Sequence, residues 1–103
     1  MYCYVWSFVV RPEYVKDFQA AYAPDGDWAH FFRRDPEYIR TYLFNDRDNP
    51  ARFLTIDFWS SYDACASFRE RFSSEFEALD QSYERFMMEE VKIGSFDTSG
   101  EAS

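Results

Sequence analysis

The stretch RFLTIDFWSSYDACASF, Arg52 to Phe68, holds a strand, a turn and the start of a helix, and the rest of the chain is read outward from it. From Arg52 to Trp59 the side chains alternate. Leu54, Ile56 and Phe58 fall on one face, and Phe53, Thr55, Asp57 and Trp59 on the other. A period of two with β-branched and aromatic members predicts a strand. Ser60 stands three residues before Asp63, the spacing of a capping box, so a helix is expected from Ser61 to about Phe72. Its buried stripe would be Cys65, Phe68 and Phe72. Asp57 is the odd member, a carboxylate among Ile56, Phe58 and Trp59.

Before this stretch, Tyr2 to Val10 alternates with apolar residues on both faces, a strand that should be covered on both sides. Pro12 suits the first turn of a helix, and Val15, Phe18 and Tyr22 continue it at helical spacing. Pro24-Asp25-Gly26 is a turn, and Asp27 is placed to cap a short helix with Trp28, Phe31 and Phe32. Asp35-Pro36 ends it. Tyr38 to Phe44 is a second strand, joined to the third by a polar loop from Asn45 to Ala51. After the helix, Ser74 and Glu77 repeat the capping spacing, so a further helix restarts with Phe76, Leu79 and Tyr83 inward. Phe86 to Phe96 is the last strand, where Gly94 suggests a bulge. Asp97 to Ser103 reads as a small, polar, frayed tail behind a single domain over residues 1–96.

The order β-α-β-β-α-β is the ferredoxin-like one, an α+β antiparallel sheet with helices on one face. The register of the middle hairpin follows from keeping apolar residues together, since a slip of one residue would turn every side chain over. Pairing Leu43 with Leu54 and Ile39 with Phe58 puts them under the helices. Arg40 then stands opposite Asp57, Tyr42 opposite Thr55 and Tyr38 opposite Trp59. This leaves Tyr4, Trp6, Phe8, Tyr42, Phe53 and Trp59 on the face without helices, and such an aromatic patch marks an interaction site. In 103 residues, 22% aromatic side chains exceed what so small a domain readily buries alone, which favours a partner subunit.

Charge excludes several classes. The net charge is −8, from 11 basic and 19 acidic residues, with Arg33-Arg34 the only adjacent basic pair. Phosphate backbones need clustered cations, so neither nucleic acid nor an anionic membrane surface is an expected partner. No apolar run approaches the roughly 20 residues of a membrane span. The N-terminal residues lack a secretory pattern, and a cytoplasmic location is expected. Cys3 and Cys65 read as free buried thiols, and one His with two distant Cys gives no metal-ligand spacing. His30 could meet a haem iron, but it has no companion ligand at a useful spacing and reads as a surface or capping residue.

Element order, length and the junction Asp57-Phe58-Trp59-Ser60-Ser61 resemble the antibiotic biosynthesis monooxygenase-like family of the dimeric α+β barrel superfamily. The resemblance spans about Tyr2 to Phe96. Where that family commonly carries His on the following helix, Phe68 stands nearby. The resemblance implies a homodimer whose two sheets close into a barrel, and in some relatives oxidation of polycyclic aromatic substrates by O₂ without a cofactor. On that reading Asp57 is the base, Tyr42 a hydrogen-bond donor, and Trp59, Arg40, Trp6 and Phe53 line an aromatic ligand cavity. Two alternatives stand beside it. Asp57 is a buried ion-pair partner of Arg40, and the protein is a non-catalytic dimeric module that binds a small ligand or is purely structural.

Overall fold

The computed structural model describes residues 1–100. Strand β1 runs Tyr2–Val10, a short 3₁₀ turn covers Pro12–Tyr14, and α1 follows over Val15–Tyr22. Helix α2 is Asp27–Phe32, and the hairpin strands β2 and β3 are Tyr38–Asn45 and Arg52–Trp59. Helices α3 (Tyr62–Arg71) and α4 (Ser73–Tyr83) precede a second 3₁₀ turn, Glu84–Phe86, and β4 is Met87–Asp97. The four strands form one sheet in the order β2-β3-β1-β4, with β3 antiparallel to β2 and β1, and β1 antiparallel to β4. This is the expected ferredoxin-like α+β arrangement.

The caps differ from expectation. Ser61, not Ser60, caps α3, its hydroxyl accepting from the Ala64 N–H at 3.1 Å. Ser60 instead donates its hydroxyl to Glu37. Asp27 is the first residue of α2 behind Gly26 and makes no capping bond, and α4 starts straight from Phe72 with no side-chain cap. Phe72 ends α3 as it begins α4, so the second helix inherits its start from the first and needs no Ser74 cap. At the other end, Asp97 still pairs with Tyr2 and Thr98 N–H donates to the Met1 carbonyl at 2.9 Å, so the strand is anchored further than a frayed tail would be. The remainder of that expected tail, from residue 101, lies outside the described residues.

The sheet is turned over relative to the sequence expectation. Phe53, Thr55, Asp57 and Trp59 are buried beneath the helices, while Leu54, Ile56 and Phe58 lie on the opposite face and are only half-buried. The reason is aromatic volume. Phe8 packs on Phe18 and Tyr22, Phe53 on Phe18, and Trp59 on Phe32 and Phe68, all at ring-centroid separations of 4.9–5.6 Å. Burying these larger rings removes more apolar surface from water than burying Leu54 and Ile56 would. The core is therefore a web of rings between one sheet face and four helices, with Trp59, Phe18 and Phe68 fully enclosed.

Candidate functional site

An aromatic-walled cavity of about 400 Å³ lies between the sheet and the helices. Its floor is built by the β-ladder. One row across the sheet reads Thr41, Asp57, Tyr4 and Ser95, and the next reads Leu43, Thr55, Trp6 and Lys92. Directly paired residues share a face, so Tyr4, Trp6, Thr41, Thr55 and Asp57 all line the cavity. Its roof comes from Tyr22, Trp28 and Phe32 on α1 and α2, and from Arg69 and Phe76 on α3 and α4. Phe8, Asp80 and Glu90 complete the lining.

The placement of Asp57 depends on one extra residue in β2. Tyr38 pairs with Trp59, as the sequence register has it, but the ladder then shifts so that Arg40 pairs with Phe58 and Thr41 with Asp57. Ile39 is the residue passed over, a bulge that puts two residues of β2 against one of β3. Beyond it every side chain changes face. Arg40 and Tyr42 therefore point away from the cavity, where the Arg40 guanidinium donates to the Tyr42 hydroxyl at 3.2 Å. The expected Arg40–Asp57 ion pair is not formed.

Asp57 instead has a neutral partner. The Thr41 hydroxyl donates to Asp57 Oδ1, and the Tyr38 hydroxyl lies 2.6 Å from Thr41 Oγ1. With no cation paired to it among the described residues, burial dominates and raises the Asp57 carboxyl to about 7, the Thr41 hydrogen bond offsetting only part of the rise. Tyr4 stands beside Asp57 on β1, and burial first, then the Asp57 charge, holds its phenol well above the ordinary value. It stays a hydrogen-bond donor at neutral pH. Among the described residues, the Trp28 and Trp59 indole Nε1–H groups are buried without a hydrogen-bond partner. Among the described residues Arg69 is the one cation lining the cavity, and its guanidinium stacks 4.4 Å from the Phe76 ring. At the opposite end Asp80 and Glu90 are both raised by desolvation and by neighbouring carboxylates, Glu84 among them.

Of the residues singled out from sequence, the structure brings Asp57 and Trp6 together in the cavity wall. Trp59 and Phe53 are core residues beneath it, and Tyr42 and Arg40 are exposed on the far side of the sheet. Sequence reasoning missed Thr41, Trp28 and Arg69 as lining residues, and placed Tyr4 in an aromatic patch on the face without helices. Tyr4 was legible as an alternating aromatic, but its neighbour Asp57 was not, because that contact joins β1 to β3. His30 is exposed, with Nε2 3.1 Å from Asp25 Oδ1, and Arg33 donates to the same carboxylate at 2.7 Å.

No family model matches the chain, and no curated protein matches it in sequence. Solved structures do match over nearly the whole chain. The cofactor-independent oxygenase SnoaB from Streptomyces nogalater is similar with a TM-score of 0.71 at 21% identity, covering 97% of this chain and 94% of that one. A candidate antibiotic biosynthesis monooxygenase from Deinococcus radiodurans gives 0.77 at 12% identity, covering 100% and 96%. Another, from Nitrosomonas europaea, gives 0.72 at 16% identity, covering 97% and 100%. These likenesses establish the fold, that of antibiotic biosynthesis monooxygenases.

Proposed function

We propose that the cavity binds an electron-rich, hydroxylated aromatic molecule and that Asp57 acts as the general base in its direct oxidation by O₂. The observation that carries this reading is the state of Asp57. It is a carboxylate in an aromatic cavity, with no cation paired to it among the described residues and a pKa of about 7. A base poised near the working pH is the one that combines a useful ionised fraction with real proton affinity. The fold's occurrence in a cofactor-independent oxygenase supports the same chemistry.

The steps balance with substrate and O₂ alone. Asp57 removes a proton from a ring methylene of the substrate's keto form, leaving a carbanion delocalised into the adjoining hydroxylated rings. The carbanion supplies the electrons that bind O₂ at that carbon as a peroxide. Asp57 returns this first proton to the peroxide, giving a hydroperoxide, and is again a carboxylate. Asp57 then takes the second proton from the same carbon as the O–O bond breaks, which leaves a carbonyl, and the departing hydroxide takes that proton from Asp57 and leaves as water. Tyr4 and the Trp28 Nε1–H are donors available to a substrate oxygen, a role Tyr42 is turned away from. The aromatic walls exclude water and stack on the substrate.

Oxygen uptake with tri- and tetracyclic hydroxylated arenes tests this. Asp57→Asn should lower kcat by about 10²–10⁴-fold while quenching of Trp fluorescence still reports binding. Undiminished oxygen uptake in that variant rules Asp57 out as the base, and binding without turnover in the wild type leaves a ligand-binding module. The half-buried apolar face on the far side of the sheet supports a homodimer.

A further inference from the structure

We infer that Tyr38 and Thr41 form a one-way hydrogen-bond chain that sets the proton affinity of Asp57 and reserves its Oδ2 oxygen for the substrate. This rests on the reading of Asp57 as the base, and adds the Tyr38 hydroxyl to the Thr41 hydrogen bond already described. Thr41 has a single hydroxyl proton, and it is donated to Asp57 Oδ1. The Tyr38 hydroxyl, 2.6 Å from Thr41 Oγ1, must therefore be the donor in that second bond. Both hydroxyls point their protons toward the carboxylate, a polarised sequence in a buried setting. Among the described residues Tyr38 makes no further side-chain bond. The chain holds Oδ1 and orients the carboxyl. Asp57 lines the cavity, and among the described residues its Oδ2 makes no hydrogen bond.

The bulge at Ile39 makes the chain possible. Residues three apart on a regular strand face opposite sides, yet Tyr38 and Thr41 share one because Ile39 is passed over. Tyr4 from β1 and Cys65 from α3 feel the Asp57 charge, while Arg69 from α3, Asp80 from α4 and Glu90 from β4 line the same cavity further off. None of them donates to Oδ1, so the chain is a separable contribution.

Carbon-13 NMR of the Asp57 carboxyl in the ligand-free protein reads this directly. Thr41→Val should raise the titration midpoint by about one pH unit, the worth of a lost hydrogen bond to a charged group. Thr41→Ser should restore the wild-type midpoint, and Tyr38→Phe should raise it by less than Thr41→Val. A Thr41→Val or Tyr38→Phe midpoint equal to or below the wild-type one overturns the proposal. If Thr41→Val does not fold, Tyr38→Phe decides alone, and a merely structural role for the hydroxyls leaves its midpoint unmoved. The oxygen-uptake assay separates the two readings. An acid limb of kcat/KM that moves with the NMR midpoint upholds both. A midpoint that moves while the limb stays upholds the chain and removes Asp57 from the base role.

Discussion

At the residue scale, Asp57 carries opposite consequences for function and for stability. Its carboxyl is raised from 3.8 to about 7 in the folded protein, chiefly by burial. A group with a raised folded-state pKa holds its proton more tightly folded than unfolded. Its contribution is therefore fully present below about pH 4 and is lost as pH climbs from there through 7. The three-unit interval corresponds to at most on the order of 4 kcal/mol. Asp57→Asn keeps an acceptor for the Thr41 hydroxyl and removes the ionisation. In urea denaturation the variant should match the wild type near pH 4 and exceed it by a few kcal/mol at pH 8. Parallel pH profiles for the two proteins would mean that Asp57 ionises without penalty, as a paired carboxylate does. That Asp57 is unusual was legible from the sequence, since a lone acid among Ile56, Phe58 and Trp59 invites the question. Its partner was not legible, because the identity of that partner depends on one position of register.

At the element scale, β2 shows why. Its limits were readable, Tyr38 being the first strand residue both as expected and as observed. The Tyr38–Trp59 pair was also correct. The bulge was invisible because Ile39 carries no mark of one, neither glycine nor an Asn that favours an unusual backbone. In β4 the opposite holds, for Gly94 advertises the irregularity, and the ladder with β1 does shift between Gly94 and Lys92. The choice of face was misread for a related reason. Both faces of β1 and β3 are apolar, so alternation alone does not say which meets the helices, and ring volume decided it. The bulge makes a measurable claim. Arg40 and Asp57 lie on opposite faces of the sheet with no shared hydrogen-bond partner. Arg40→Ala and Asp57→Asn should therefore be additive in a denaturation cycle to within about 0.5 kcal/mol. A coupling well above 1 kcal/mol would return Arg40 to the cavity and place the ladder in the unbulged register.

At the scale of the whole molecule, the sheet has one face under the helices and one without cover. The uncovered face is not polar. One row across it reads Tyr42, Ile56, Val5 and Gly94, and the next reads Phe44, Leu54, Ser7 and Val91. Phe44 is 50% exposed, Val91 45% and Tyr42 41%. An antiparallel sheet facing water normally alternates to polar side chains on that side, and a contiguous apolar surface of this extent marks an interface. We propose a second copy of the chain as the occupant, since a two-fold axis through the face would set each apolar row against its equivalent. The charged side chains Arg52 and Glu89 at the ends of their strands would form the rim. An obligate interface of this kind buries on the order of 2,000 Å² in total. Ile56 is central in the face and half-buried already. Ile56→Asp should place two carboxylates against one another at the axis, and sedimentation should show the wild type as a dimer at micromolar concentration and the variant as a monomer. Because the cavity lies on the opposite side of the sheet and is lined by one chain, the monomeric variant should keep the Asp57 titration midpoint. A wild type that sediments as a stable, folded monomer would leave this face to some other partner.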